Sequence, residues 1–223
     1  MSFGEYVNSK FHSLLHLLSD LILINVLWFL VSALGLFVFT IAPATIGMYT
    51  VTYSRIMGYD SSIFRGFFRV FKREFWKSQR VFISFLLIGT IIAVDVYYFY
   101  MSFTADQSFF HAFGLFVSVI LVLLYLLSLI HIGPVYLHFP GLSTFQLVKY
   151  ALLFSVGFLF HSFLIIIIIA LSLALIFCFP NLFTLIPTIL VSLNVYLALY
   201  IVKGRYLRLI KNPDSLLITV LRE

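Results

Sequence analysis

Asp95 and His161 are the two side chains of this sequence best suited to chemistry inside an apolar environment. Ionisable groups within membrane-spanning segments are rare and usually face the interior of a helix bundle. Counted from the basic ends of their apolar runs, Asp95 lies roughly 20 Å and His161 roughly 16 Å along a helix. The two could therefore meet, either as a proton- or ion-coupling site or as a structural pair. Alternatively, Asp95 could reach water near the outer headgroups, beside its neighbouring tyrosines.

Other candidates for chemistry are few. His12 and His16 have the one-turn spacing of two metal ligands on a helix, but no third ligand stands near them, so we interpret them as interfacial side chains. The sequence contains no G-x-x-x-x-G-K-[ST], H-E-x-x-H or G-x-S-x-G motif. Cys178 is the only cysteine, which excludes a disulfide within the chain. We predict a protein that is not an enzyme and that uses no metal or cofactor.

The apolar run Phe109–Ile130 carries small and polar residues at steps typical of one helix face. Such stripes let helices approach closely, so we predict a packing surface against another helix of this chain or of a partner. The stripe comprises His111, Gly114, Ser118, Tyr125 and Ser128.

Composition indicates which elements position these residues. Hydrophobic residues make up 63% of the 223 residues and charged residues only 10%, whereas about 25% of a soluble domain is charged. Lipid must solvate much of this excess. The sequence therefore predicts an all-α fold, a polytopic transmembrane helix bundle that forms one integral membrane domain over residues 1–223.

Basic residues predict the orientation. Twelve of the fourteen Lys and Arg residues fall within Arg55–Arg80 and Lys203–Arg222. Because the Lys/Arg bias of short loops sets topology, we expect both segments and the C-terminus to be cytoplasmic. The net charge of +6 lies between apolar segments rather than on a soluble basic fold, so we predict attraction to anionic membrane lipids and no binding of nucleic acid.

The number of crossings stays open between five and six. Gly4–Leu18 reads as an interfacial amphipathic helix or as an extension of the first span. Leu18–Met57 is about twice the length of one span: it forms either one span and an interfacial piece, or two spans that turn near Gly35. Six crossings, which we favour, place the N-terminus in the cytoplasm as well. The later spans are predicted at Val81–Phe103, Phe109–Ile130, Ala151–Cys178 and Thr184–Val202, with helix breaks at Gly133, Pro134, Pro140 and Gly141.

Asp60–Arg80 reads as a cytoplasmic interfacial helix. Its sequence, IFRGFFRVFKREFWKSQR after the Asp60-Ser61-Ser62 cap, puts phenylalanines on one face and basic residues on the other. Helices of this kind lie in the headgroup plane. The candidate surface for lipid headgroups or a partner comprises Arg65, Arg69, Lys72, Arg73 and Lys77.

Three segments carry a family resemblance: GLFVFTIAPATIGMYTV (Gly35–Val51), IFRGFFRVFKREFWKS (Ile63–Ser78) and VYLHFPGLSTFQLVKYALLFSVG (Val135–Gly157). Their order resembles that of the YesL family of bacterial membrane proteins, whose biochemical function is unknown. The resemblance implies a multi-pass protein of the bacterial plasma membrane. Because genes of that family often lie beside those of carbohydrate ABC importers, it also implies an accessory role beside the permease subunits of such an importer.

Two functional hypotheses follow. In the first, the chain is a non-enzymatic accessory subunit or partner of a carbohydrate ABC importer; the absence of an E-A-A…G coupling loop argues against its being the permease itself. In the second, it is a small independent transporter or channel that uses Asp95 and His161.

Overall fold

The computed structural model describes residues 3–59, 61–210 and 216–221, with side chains from residue 11 onward. Within these ranges every regular element is helical. The described residues form seven α-helices linked by short turns, together with 3₁₀ turns at Pro180–Thr184 and Leu217–Leu221 and a π-helical turn at Ile186–Leu190. The α-helices are α1 (Phe3–Leu34), α2 (Ile41–Ile56), α3 (Ile63–Ala105), α4 (Phe109–His138), α5 (Thr144–Gly157), α6 (Leu159–Cys178) and α7 (Val191–Leu209).

Five helical stretches in the described part of the chain are long and apolar enough to cross a bilayer. The chain is therefore an all-helical, multi-pass membrane protein, as its composition predicts. The five stretches are Phe11–Leu34, Ile63–Ala105, Phe109–His138, Leu159–Cys178 and Ile186–Leu209. The chain does reverse at Gly35, as the six-crossing topology requires, but α2 has only 16 residues, fewer than the roughly 20 of a spanning helix.

The N-terminal segment Gly4–Leu18 is part of α1 rather than a separate helix, which is the second of the two interpretations above. Leu21, Ile24, Leu27 and Val31 recur at steps of three and four and are buried on one face of α1. Asn25 lies on the same face. Its side chain donates to the carbonyl oxygen of Ile186 at 2.8 Å and accepts from the amide of Ser192 at 2.7 Å, and it thereby holds the start of α7.

The turn between α1 and α2 is strained and tightly held. Leu36 and Phe37 have φ angles of 54° and 60°, a left-handed conformation that costs roughly 1–2 kcal/mol per residue with a side chain. The hydroxyl of Thr40 donates to the carbonyl oxygen of Val31 at 2.8 Å. A Cβ on Gly35 would lie 2.2 Å from that hydroxyl oxygen, so only glycine fits here.

Helix α2 lies at the centre of the described bundle and is buried along most of its length. It packs against α1, α3, α4 and α7. Its C-terminal end is fixed by Arg55, whose Nε lies 3.1 Å from a carboxylate oxygen of Asp20 on α1. The Asp20–Arg55 pair at this end, and the turn at the other end, therefore hold α1 and α2 in an antiparallel arrangement.

Helix α3 contains the predicted interfacial helix as its first part. It runs unbroken for 43 residues, about 64 Å at about 1.5 Å per residue, so the segment up to Arg80 is not an element of its own; Asp60 lies outside the described residues. The segment is amphipathic as predicted, but its apolar face packs against the protein: Phe67 and Val70 are fully buried, although Phe64 is exposed.

The predicted helix boundaries are only partly right: Pro140 and Gly141 do lie in the turn between α4 and α5, but one predicted break is absent and one observed break was not predicted. Helix α4 continues through Gly133 and Pro134 and ends only at His138. The predicted span Ala151–Cys178 is instead divided at Phe158, between α5 and α6. Helix α5 begins with a capping box, in which Ser143 and Gln146 bond each other's backbone amide at 2.9 and 3.4 Å. This N-cap, which follows the turn at Pro140 and Gly141, marks the start of the next helix.

Candidate functional site: a buried histidine and tyrosine cluster

The C-terminal third of α4 brings two histidines into the core of the bundle. His131 and His138 are seven residues apart, which is close to two helical turns, so they lie on the same face of α4. Both are fully buried. Because a buried polar group must be hydrogen-bonded or it destabilises the fold, the partners of these rings define the site.

The hydrogen bonds of His138 fix its tautomer. Its Nδ1 lies 2.7 Å from the carbonyl oxygen of Pro134, which can only accept, so Nδ1 carries the proton. Its Nε2 lies 3.0 Å from the hydroxyl of Tyr53 on α2, and the phenol therefore donates. Burial, with a smaller contribution from Tyr59, raises the pKa of Tyr53 to about 12, so the phenol keeps this proton at neutral pH.

His131 is held in the opposite tautomer. Its Nε2 lies 2.8 Å from the hydroxyl of Ser162 on α6, and its Nδ1 lies 2.8 Å from the hydroxyl of Tyr206 on α7. The Ser162 oxygen is also 3.1 Å from the carbonyl oxygen of Phe158. The hydroxyl of Ser162 has one proton, which it donates to this carbonyl oxygen. The Ser162 oxygen therefore accepts a hydrogen bond from Nε2–H of His131. The other ring nitrogen, Nδ1, carries no proton and accepts from the hydroxyl of Tyr206.

Tyr206 joins the two histidines. Its ring centroid lies 4.8 Å from that of His138 and 6.1 Å from that of His131. Phe154 of α5 and Phe158 pack against the same ring, at 5.4 and 5.6 Å. This histidine–tyrosine cluster (Tyr53, His131, His138, Ser162 and Tyr206) therefore connects α2, α4, α6 and α7 in one layer.

The contact between Ser162 and His131 has the distance of a nucleophile and its base. The serine is fully buried, however, and its proton is directed to backbone carbonyl oxygens of Ser155 and Phe158, at 3.2 and 3.1 Å. The imidazole consequently donates to the serine instead of activating it. In the described part of the chain no three His, Cys, Asp or Glu side chains come together in a way that could hold a metal ion. The cluster is arranged to link helices.

A second buried polar contact lies on α3. Glu74 is almost fully buried and accepts from the hydroxyl of Tyr136 at 2.7 Å. The Lys77 ammonium lies 5.1 Å from the centroid of the Tyr136 ring and donates to the carbonyl oxygen of Pro140. A cation over an aromatic face is attracted by the ring quadrupole. Lys77 is therefore an internal link between α3 and the end of α4.

The other basic residues of the candidate surface point outward. Arg65, Lys72 and Arg73 are exposed, and Arg73 approaches Glu74 with its Nε at 3.6 Å. Arg69 is also exposed, but its guanidinium donates to the carbonyl oxygen of Val220 at 3.0 Å. This exposed basic face of α3 thus includes four of the five predicted residues.

Asp95 and His161 do not form the predicted pair. Asp95 accepts a hydrogen bond from Ser118 at 2.5 Å. Within the described residues no hydrogen bond joins Asp95 to His161. The His161 ring packs beside Phe158 and Phe160. Ser162, the neighbour of His161, contacts His131. Ser118 and His131 are thirteen residues apart on α4, about 20 Å along the helix, so the two predicted partners lie at different levels.

Three residues of the predicted stripe of α4, Gly114, Ser118 and Tyr125, contact α3. The Tyr125 hydroxyl donates to the carbonyl oxygen of Phe85 at 3.1 Å, and a Cβ on Gly114 would approach the Phe99 ring within 2.1 Å. Ser118 reaches Asp95, as above. Ser128 is buried and donates to the carbonyl oxygen of Tyr125, and His111 contacts Ser108 at the N-cap of α4 with its Nδ1 at 2.9 Å.

The sequence interpretation missed His131 and His138. Their spacing of seven residues was a usable signal, but the expected helix break at Gly133 and Pro134 placed them in different elements. Tyr53 and Tyr206 had no signal of their own, since either could have been an interfacial tyrosine.

Comparison with known proteins gives a family match. The model described as "Protein of unknown function, DUF624" matches residues 21–96, from α1 into α3. Among the relatives, YteU of Bacillus subtilis (strain 168) is 32% identical over 179 residues, 80% of this chain and 77% of that protein. YesL of the same organism is 32% identical over 119 residues, 52% of this chain and 53% of that protein. YesV is 29% identical over 138 residues, 59% of this chain and 62% of that protein. All three are uncharacterized, and no solved structure matches the chain.

Proposed function

Because this chain belongs to the family of uncharacterized proteins that includes YteU and YesL, we propose that it is a non-enzymatic accessory subunit of a carbohydrate ABC importer in a bacterial plasma membrane. The observation that carries the non-enzymatic part is the mutual satisfaction of the buried polar groups. Each histidine of the cluster is held neutral between fixed partners, so its hydrogen-bonding capacity is used in linking helices.

The exposed basic face of α3 supports a role in contact with another component. Arg65, Lys72 and Arg73 project from a helix whose opposite face is fixed in the core by Phe67 and Val70. A rigid row of cations suits an acidic surface on a partner and orients the complex more than it adds affinity. We place this face, and the C-terminus, in the cytoplasm because of the Lys/Arg bias. Because Asp20 of α1 pairs with Arg55, we expect the N-terminus on the same side.

The identity of the partner rests on the family resemblance. That resemblance implies an accessory role beside a carbohydrate ABC importer, and an accessory protein is expected to contact the permease subunits of such an importer. The competing transporter hypothesis depended on a pair between Asp95 and His161. Because Asp95 instead bonds Ser118 of the neighbouring helix, that hypothesis loses its site.

Site-directed crosslinking tests the proposal. A photo-activatable amino acid at Lys72, in the full-length protein in its native membrane, should crosslink to a permease subunit of a carbohydrate importer identified by mass spectrometry. The matched control is the same amino acid at Lys149, an exposed lysine within α5. Crosslinking to lipid alone at position 72, or equal crosslinking to the importer at both positions, would contradict a complex through the basic face.

Charge reversal provides an independent measurement. Arg65→Glu combined with Lys72→Glu should reduce co-purification of the importer subunits, whereas Lys149→Glu should not. Abundance of each variant in the membrane is measured in parallel, so that loss of the complex is distinguished from loss of the protein.

A further inference from the structure

The turn between α1 and α2 presents an exposed apolar surface. Leu34, Leu36, Val38 and Phe39 are 86%, 76%, 63% and 64% exposed. The backbone cannot fold these side chains inward, because the amide of Phe37 donates to the carbonyl oxygen of Ser32 at 2.7 Å and holds the left-handed turn closed. The turn is therefore a rigid apolar tip. Exposure of this much apolar surface to water would cost about 25 cal/mol per Å².

The tip lies beside the point at which α3 changes from basic to apolar. The side-chain amide of Gln79 donates to the carbonyl oxygen of Phe39. Arg80, the next residue, is the last basic residue of α3, and its Nε bonds the carbonyl oxygen of Trp76 at 3.3 Å. Trp76 is itself exposed. Tryptophan and basic side chains are typical of the membrane–water interface.

Beyond this boundary, α3 exposes Ile83, Leu86 and Leu87, within a stretch that is apolar enough to cross the bilayer. Ile41, at the start of α2, lines one cavity together with Phe82 and Phe85 of α3, so the apolar tip adjoins this part of α3. At the opposite end of the α1–α2 pair, Arg55 and Asp20 form their ion pair, and Arg55 also donates to the carbonyl oxygen of Ser61 just before α3. The pair thus has an apolar end next to the apolar part of α3 and a charged end next to the start of its basic part.

We propose that the tip formed by Leu34–Phe39 inserts among the lipid acyl chains just below the headgroups, on the side of the membrane that carries the basic face of α3. The α1–α2 pair then enters and leaves the bilayer on the same side, so Phe11–Leu34, although long and apolar enough to cross, does not cross it. The length of α2 fits this arrangement: 16 residues span about 24 Å, less than the roughly 30 Å of the hydrocarbon core.

The test uses the full-length protein with Cys178→Ser, because the native cysteine is exposed. Single cysteines are introduced as Val38→Cys at the tip, Arg73→Cys on the basic face and Asp106→Cys between α3 and α4. The protein is reconstituted into phosphatidylglycerol–phosphatidylethanolamine vesicles. A membrane-impermeant maleimide is applied from either side, so that the last two positions report opposite sides. An environment-sensitive fluorophore at position 38 is quenched by lipids spin-labelled either near the headgroup or near the end of the acyl chain.

The expected result is that Val38→Cys is unreactive from both sides and that its fluorophore is quenched most by the headgroup-proximal label. Reaction from the side that labels Asp106→Cys would overturn the proposal, because the pair would then cross the bilayer. Reaction as fast as that of Arg73→Cys from its side would place the tip in water. Strongest quenching by the lipid labelled near the end of its acyl chain would place the tip deeper than proposed. No quenching by either lipid would show that protein, and not lipid, covers the tip. Either result would overturn the proposal. Leu36→Cys repeats the measurement at a second exposed position of the tip.

Discussion

The phenol of Tyr206 donates a hydrogen bond to Nδ1 of His131 across 2.8 Å, and both side chains are fully buried. This contact joins α7 to α4, although the two residues are 75 positions apart in the chain. Since the other nitrogen of His131 bonds Ser162 of α6, one imidazole fixes three helices. Polar links of this kind specify which helices pair, where apolar packing alone would leave several arrangements close in energy.

Removal of the Tyr206 hydroxyl should therefore destabilise the bundle. Tyr206→Phe keeps the ring that packs against His138 and Phe154 but leaves Nδ1 of His131 without a donor. An unsatisfied buried acceptor costs about 1–3 kcal/mol. The free energy of unfolding in mixed detergent micelles, followed by circular dichroism, should fall by that amount.

Tyr98→Phe is the matched control for this variant, because Tyr98 is 57% exposed and the same hydroxyl is lost where water or headgroups can replace it. Its free energy of unfolding should be unchanged within error. Equal stability of the Tyr206→Phe and Tyr98→Phe proteins would mean that the hydroxyl of Tyr206 contributes nothing to the cluster.

The contact between Asp95 and Ser118 predicts an energetic coupling that Asp95 and His161 should lack. In a double-mutant cycle, Asp95→Ala and Ser118→Ala should show an interaction energy of about 0.5–3 kcal/mol, the range for groups in contact. Asp95→Ala and His161→Ala should be additive, because their levels on the bundle are set by Ser118 and His131. Coupling to His161 and none to Ser118 would restore the pair inferred from the sequence and reject the observed geometry.

The helical class and the approximate positions of the apolar stretches, though not their boundaries, could be predicted because they depend on local apolar content. The stripe on α4 could also be predicted, since spacings of three and four residues define one face of a helix regardless of which helix packs against it. The level at which two helices meet has no such local signature. Asp95 and His161 appeared matched when each was counted from its own basic end, but α6 begins beside His131, about 20 Å along α4 from Ser118.

The central position of α2 could not be predicted for a related reason. Its run of Pro, Ala, Thr and Gly reads as a short interfacial piece or a weak span. Because α2 is surrounded by α1, α3, α4 and α7, its small residues allow these helices to approach it closely. A Cβ added to Gly47, for example, would lie only 3.3 Å from Phe67. Likewise, Pro134 indicates a break locally, but packing against α2 and α7 keeps α4 helical to His138.

The turn between α1 and α2 should depend on glycine at position 35. In Gly35→Ala the new Cβ would lie 2.2 Å from the hydroxyl oxygen of Thr40, which two backbone carbonyl oxygens hold in place. Forced overpacking costs typically 1–3 kcal/mol, and the same unfolding measurement should show a loss of that size. Gly204→Ala in α7 meets no atom within 4 Å and should be neutral or stabilising by about 0.5–1 kcal/mol. A Gly35→Ala protein as stable as the unmodified chain would show that the turn relaxes freely.

The last described segment, residues 216–221, should stabilise the bundle by packing across α2, α3 and α4. Leu217, Ile218 and Val220 are nearly fully buried against α2, α3 and α4, and Arg69 donates to the carbonyl oxygen of Val220. Leu217→Ala removes buried methyl groups and leaves a cavity, which costs about 2–5 kcal/mol. Leu209→Ala, at a leucine that is 46% exposed at the end of α7, provides the comparison. We expect the first variant to lower the free energy of unfolding by at least about 2 kcal/mol more than the second, near the lower end of that range.

Because the segment packs against α3, limited proteolysis should also cleave it sooner in the Leu217→Ala protein. Identical unfolding and cleavage of the two variants would mean that the segment lies loosely on the surface and does not hold α2 and α3 together.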